Sequence, residues 1–196
     1  MLKYLNMKCE SLIDVIVPVK GITTDVALIA GFAAMTAMCA QVSFWIGPVP
    51  VTGQTFAVLV SGAILGSRRG ALSQLSYLLV GITGMPFWFA AGGVPGIARL
   101  LGPTGGYLIG FVAAAYLTGW LSEKGWDKNL WTASLAMVFG CTCYYVIALP
   151  WLAHFTGSDQ VLQVGLCPFI LGDLIKSTAA SLALPMAWRL LRLKGQ

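Results

Sequence analysis

The chain has 196 residues, 58% of them hydrophobic and only 10% charged, with a mean hydropathy of +0.81; an ordinary soluble domain carries about 25% charged residues. This is the composition of a membrane protein, and six spanning helices of roughly 20 residues each leave too little chain for a soluble domain of about 50–100 residues. A built-in ATPase, kinase or dinucleotide-binding module is thereby excluded, and the sequence holds no phosphate-binding GxxxxGK motif. The formal charge of +5 comes from basic residues dispersed between apolar runs, which argues against nucleic acid.

Residues 1–25 mix Lys3, Lys8, Glu10, Asp14 and Lys20 with scattered apolar positions. They lack the basic start, apolar run and cleavage site of a signal peptide, and are expected to form a short cytoplasmic lead-in near the membrane surface. From Val26 to Ser67 there is no Asp, Glu, Lys or Arg, and Gly47-Pro48-Val49-Pro50 interrupts the run. The spacing predicts spans over 26–46 and 51–65, the second so short that it must be steep, partly buried or extended by its loop. Ser67-Arg68-Arg69-Gly70 is the next polar break, followed by a third span at 71–85 and a Gly/Pro-rich loop at 86–103. A fourth span at 104–121, a polar loop at 122–129 and a fifth span at 130–152 come next. Pro168, suited to a first helical turn, opens a sixth that runs to about 190. The expected architecture is an all-α membrane protein, with a six-helix transmembrane domain over 26–191 and a cytoplasmic tail at 192–196.

Lys and Arg are retained on the cytoplasmic side. With the amino terminus inside, the cytoplasmic segments hold Lys3, Lys8, Lys20, Arg68, Arg69, Lys124, Lys128, Arg189, Arg192 and Lys194, ten of the twelve basic residues. Both termini are therefore expected to be cytoplasmic. Arg99, alone in an outer loop, and Lys176, inside a span, are the two that retention does not explain.

Asp173 and Lys176 lie in Gly172-Asp173-Leu174-Ile175-Lys176, roughly 8 and 12 Å into the sixth helix at 1.5 Å per residue. Intramembrane charges usually face a cavity and mark a site, and the i,i+3 spacing puts both on one helix face. Either they neutralise one another as a structural pair, or they offer an acceptor beside a donor for a ligand group with both N–H and C=O, such as a urea or amide. Arg99 stands near Gly102-Pro103-Thr104-Gly105-Gly106-Tyr107; it is either a solvated loop arginine or a carboxylate receptor beside a helix amino terminus. The glycines serve either an approaching ligand or close packing.

In the first span, Ala30/Ala34 is one of several pairs of small residues four apart, which let another helix approach closely, within the bundle or from a partner protein. The seven tryptophans fall near span ends, as interfacial anchors do. The five cysteines are odd in number, with a CxC spacing at Cys141 and Cys143, and are read as packing residues. His154 is the only histidine, and no His/Cys/carboxylate cluster or nucleophile–base pair is recognisable. Neither an enzyme nor a metal or cofactor is expected.

Four motifs occur in order: Gly47-Pro48-Val49-Pro50-Val51-Thr52-Gly53-Gln54-Thr55-Phe56, Gly70-Ala71-Leu72-Ser73-Gln74 with Tyr77-Leu78-Leu79, Gly102-Pro103-Thr104-Gly105-Gly106-Tyr107, and Gly172-Asp173-Leu174-Ile175-Lys176. Over about residues 26–190 the chain resembles the BioY family, the biotin-specific substrate-binding (S) components of energy-coupling factor (ECF) transporters. The resemblance implies a six-helix S-component fold and high-affinity biotin uptake across the cytoplasmic membrane. It also implies association with a transmembrane coupling protein and two cytoplasmic ATPases that hydrolyse ATP. The loop between the first two helices would close over the substrate, and a small-residue face of the first helix, here Ala30 and Ala34, would dock on the coupling protein. Asp173 and Lys176 correspond to the polar pair for the ureido ring, Thr52 and Gln54 belong to the loop motif, and Tyr107 closes the glycine motif; Arg99 is the more loosely placed candidate for the carboxylate. The competing readings are an S component for another vitamin, a membrane enzyme acting on a biotin-like amide, and a scaffold in which the Asp/Lys pair satisfies itself.

Overall fold

The computed structural model describes residues 11–17, 21–45 and 47–194; Lys3, Lys8, Cys9, Glu10 and Lys20 of the expected lead-in lie outside them. In chain order the helices are α1 (Leu12–Ile16), α2 (Ile22–Gln41), α3 (Gln54–Leu65), α4 (Ser67–Ile82), α5 (Ile97–Leu101), α6 (Gly105–Glu123), α7 (Leu130–Thr156), α8 (Val161–Gly165) and α9 (Cys167–Lys194). A two-stranded hairpin, β1 (Ser43–Trp45) and β2 (Pro50–Thr52), joins α2 to α3, and a single 3-10 turn (Trp126–Lys128) precedes α7. Helices α2, α3, α4, α6, α7 and α9 occupy the six expected segments. Four segments are long and apolar enough to cross a membrane, those containing α2, α6, α7 and α9. At 1.5 Å per residue, α3 and α4 span only about 18 and 24 Å against a hydrocarbon core of about 30 Å.

Helix α6 is the central element, packed against α3, α4 and α7. Glycine makes this possible: a Cβ on Gly62 would lie 2.3 Å from the Ala115 carbonyl oxygen, and one on Gly119 would lie 2.5 Å from the Gly66 backbone. At these crossings the backbones touch, the arrangement small residues allow between membrane helices. Helix α3 is buried on most sides, with Ala57, Val58, Leu59, Ser61, Gly62 and Ala63 all in the core. Its shortness is therefore no mismatch with lipid, in keeping with the expectation that this segment is partly buried.

Two boundaries differ from the sequence reading. Helix α2 starts at Ile22 rather than Val26, because Asp25 is drawn into an ion pair with Arg69 (2.8 Å) that also engages Asp14 (2.7 Å). It ends at Gln41 rather than 46: the Gln41 side-chain amide donates to the carbonyls of Ala37, Phe87 and Phe89, and the chain then turns into β1. The strands pair antiparallel, Ser43 with Thr52 and Trp45 with Pro50, with Pro50 as first residue of its strand, where a missing N–H is tolerated.

Candidate functional site

The hairpin, α3, the 86–104 loop, α6, α7 and α9 converge on one cavity. Its walls include Val49, Pro50, Thr52, Gln54 and Thr55 from the hairpin and α3, Arg99 and Thr104 from the loop, Tyr107 and Phe111 from α6, Tyr144 from α7, and Phe169 and Lys176 from α9. Five of the six residues singled out for ligand binding, Thr52, Gln54, Arg99, Tyr107 and Lys176, line it directly. The sixth, Asp173, stands behind that wall.

Asp173 is saturated with donors. Its Oδ1 accepts from Lys176 Nζ and the Thr55 hydroxyl, both at 3.1 Å, and its Oδ2 from the hydroxyls of Tyr144 and Tyr145, both at 2.5 Å. Lys176 Nζ also donates to Thr55 Oγ1 (2.7 Å) and to the Thr52 carbonyl (2.8 Å). The i,i+3 spacing thus brings the two charges into a direct ion pair at 3.1 Å. A buried carboxylate needs this compensation, since an ion left unpaired away from water costs several kcal/mol. The pair is also an anchor: through Thr52 and Thr55, α9 holds the hairpin and the start of α3.

From that anchor the polar chain continues. The Thr52 hydroxyl donates to Gln54 Oε1 (2.8 Å), and Gln54 Nε2 reaches the Tyr77 hydroxyl (2.5 Å). Tyr107 donates its hydroxyl to the Gly165 carbonyl and stacks on Phe169 with 5.8 Å between ring centroids, so it offers the cavity a ring rather than a hydroxyl.

Arg99 is not a solvated loop arginine, for it is 5% exposed. Its guanidinium lies 5.3 Å from the centroid of the Trp45 ring, and Nη2 donates to the Ala90 carbonyl at 3.1 Å. A Cβ on Gly93 would fall 1.1 Å from Nη1, so the glycine clears the space the guanidinium fills. No carboxylate pairs with Arg99 among the described residues, and burial pulls its pKa below the ordinary value. A buried cation aimed at a cavity without an anion of its own is a receptor for one.

The glycine motif resolves in favour of packing. A Cβ on Gly105 would overlap the Leu100 carbonyl at 1.7 Å, and one on Gly106 would meet Trp151 at 2.5 Å; only Thr104 and Tyr107 of the motif reach the cavity. On α2, Ala30 and Gly31 are exposed and Ala34 half-buried, while Ala33, Ala37 and Ala40 face the core. The intramolecular seam is thus Ala33/Ala37, and the Ala30/Ala34 side is open. The tryptophans divide: Trp131 is exposed, whereas Trp188 is wholly buried and Trp45 belongs to the site.

Sequence reasoning did not single out Thr55, Tyr144 and Tyr145. Thr55 stands inside the quoted loop motif, one position after Gln54, and the two adjacent phenols are an unusual pair in the middle of an apolar span. Each was readable as a polar group with something to bind.

The fold defined by this bundle is that of a membrane substrate-binding component. It superposes on a solved chain described as the S-component for biotin from an ECF-type ABC transporter, with a TM-score of 0.73 over 91% of this chain and 96% of that one, at 24% identity. Sequence similarity is stronger to the probable biotin transporter BioY of Pyrococcus horikoshii, 41% identical over 156 residues, 80% of this chain and 91% of that protein. The biotin transporter BioY of Rhizobium etli is 36% identical over 171 residues, 82% of this chain and 90% of that protein. The BioY family model matches residues 7–193, and the chain belongs to the BioY family, a family of transporters rather than enzymes.

Proposed function

We propose that this chain binds biotin and serves as the substrate-specific component of an ECF-type transporter, taking the vitamin up across the cytoplasmic membrane. The observation that carries this reading is a cavity lined by both Lys176, bonded to Asp173, and an unpaired, buried Arg99. Biotin offers a urea, an apolar thioether ring, an aliphatic chain and a carboxylate. Lys176 donates to the ureido oxygen, and Asp173 takes a ureido N–H in exchange for one of its present donors. Thr52 and Gln54 supply the loop-side polar contacts, Tyr107 and Phe169 flank the apolar part, and Arg99 holds the carboxylate. This matches the general form of small-molecule pockets, apolar walls with a few placed polar groups.

The cavity has a free volume of about 30 Å3, on the scale of a water molecule, so a bicyclic ligand enters only when the 43–52 hairpin swings away and returns over it. In the bilayer the helices α2, α3, α4, α6, α7 and α9 are the six spans, over 26–191, with both the 1–25 segment and the 192–196 tail in the cytoplasm. The exposed Ala30/Ala34 side of α2 is the docking face for a transmembrane coupling protein, which links the chain to two ATPase subunits.

Titration of the purified chain with biotin, followed by tryptophan fluorescence, is the test. Saturable binding that thiamin and riboflavin do not displace is expected. Asp173→Asn should weaken it by about one to two decades, the loss of a charge-assisted hydrogen bond of about 1.5–3 kcal/mol. Arg99→Gln should weaken biotin but not its methyl ester. No saturable signal together with no competing radioligand binding would overturn the reading.

A further inference from the structure

A second concave site lies at the opposite end of the bundle from the hairpin, on its outer surface. It is a groove of about 720 Å3 between the start of α7 and the last third of α9, lined by Leu130, Leu182, Pro185, Met186 and Leu190 with Lys128 and Arg189. The apolar side is fully formed yet uncovered: Leu182, Met186 and Leu190 are 55, 62 and 53% exposed. From Ser181 to Leu190 it runs along about 14 Å of helix at 1.5 Å per residue, the length of a good part of an acyl chain.

Charge decides what covers it. Both ionisable residues in the lining are cations, and no carboxylate is among them. The nearby Asp127 is 1% exposed and accepts from the Trp188 indole at 2.6 Å, so it points into the interior. Lys128 is held over the face of that same indole, 4.5 Å from the ring centroid. Beside it, Trp131 is 80% exposed, and Lys124 rests on the Trp120 ring at 3.3 Å. Tryptophan and lysine at one level mark the headgroup region of a bilayer. A groove with cations at headgroup level and an apolar wall running towards the bilayer centre has the form of a basic lipid-headgroup pocket.

We propose that this groove is a binding site for an anionic phospholipid, with the headgroup phosphate between Lys128 and Arg189 and an acyl chain along Leu182, Pro185, Met186 and Leu190. The site lies in the leaflet on the side of the termini, away from the α2 face and the cavity. Its occupant is a lipid and not free phosphate, because the apolar wall is the larger part of it.

The test uses the full chain in detergent micelles, with palmitoyl-oleoyl phosphatidylglycerol and the matching phosphatidylcholine added in equal amounts and retained lipid read by native mass spectrometry. Expected is a preference for the anionic lipid of about tenfold or more, unaffected by millimolar inorganic phosphate. The double variant Lys128→Ala/Arg189→Ala should bring that preference close to unity, while Leu182→Trp, which fills the wall, should reduce retention of the lipid without removing the residual preference. Circular dichroism and the melting temperature establish that each variant is folded. Equal retention of the two lipids by the unaltered chain would overturn the proposal irrespective of how any variant behaves. So would a folded double variant with undiminished preference, displacement of the lipid by inorganic phosphate, or a groove occupied instead by a second copy of the chain.

Discussion

The two ends of the bundle use charge in opposite ways. At the hairpin end, Asp173 and Lys176 are withdrawn into one buried network with three hydroxyls, and Arg99 is buried without an anion. At the end where α4 begins and α9 finishes, charges act singly as fasteners between elements. Arg69 ties α1 and α2 to α4 through Asp14 and Asp25; the Glu123 carboxylate accepts from the Ser67 N–H and hydroxyl to hold α6 against α4; Asp127 fixes the α6–α7 turn to α9 through Trp188. The fasteners connect pairs of elements and leave no enclosed polar space. The hairpin end instead collects polar groups around a cavity and leaves a cation to spare, which is what a ligand site requires and a structural joint does not.

Breaking the buried pair from one side should give the largest effect. Lys176→Met leaves Asp173 buried with its cation gone, and loss of one partner of such a pair costs about 3–5 kcal/mol. A large fall in melting temperature in detergent is expected. Adding Asp173→Asn should recover most of it, because the uncompensated charge is then removed. If Lys176→Met were neutral, or the double variant no better than the single one, Asp173 would not depend on Lys176, and the contrast between the two ends would fail.

At the fastener end the corresponding effect is in pH. Burial pushes the Asp127 carboxyl up from 3.8 to about 6, above its value in an unfolded chain. The native state therefore holds a proton that the unfolded state has released, and stability falls as pH rises from about 4 through 6. The span of the fall is about 3 kcal/mol at 1.36 kcal/mol per unit. Asp127→Asn, which still accepts from the Trp188 indole, should flatten this slope in melting temperature against pH. An unchanged slope would show that the carboxyl titrates normally.

Much of this division was legible in the sequence, for a physical reason. Charges are costly in a bilayer, so Lys176 and Arg99 stood out once topology had accounted for the other basic residues, and both line the cavity. The helical segments were legible from unbroken apolar runs between polar breaks. The hairpin was not, because strands of three residues are too short to establish an alternating pattern. Helix α5 was hidden in a Gly/Pro-rich loop. Tyr144 and Tyr145 read as ordinary apolar-span aromatics until α9 placed a carboxylate against their hydroxyls, a relation across 28 and 29 residues that no local pattern carries. Asp25 joined α2 for the same kind of reason, since its partner Arg69 lies on another helix.

Two smaller effects sharpen the comparison further. Gly93→Ala puts a methyl where the Arg99 guanidinium lies, and the flexible side chain yields rather than the backbone. The expected outcome is roughly tenfold weaker biotin binding, about 1.4 kcal/mol, with little change in melting temperature and none in affinity for the methyl ester; equal losses for acid and ester would remove Arg99 from the carboxylate. Arg69→Ala is the fastener counterpart and should do least. The side chains of Arg69, Asp14 and Asp25 are 23, 21 and 41% exposed, so water and salt screen the pairs and each contributes at most about 1 kcal/mol. A drop in melting temperature of a few degrees, shrinking as salt is raised, with biotin affinity unchanged, is expected. The distinction between the ends is that one arginine alters a ligand and leaves the fold, while the other alters the fold and leaves the ligand; a biotin titration of Arg69→Ala that shifted as far as that of Gly93→Ala would erase it.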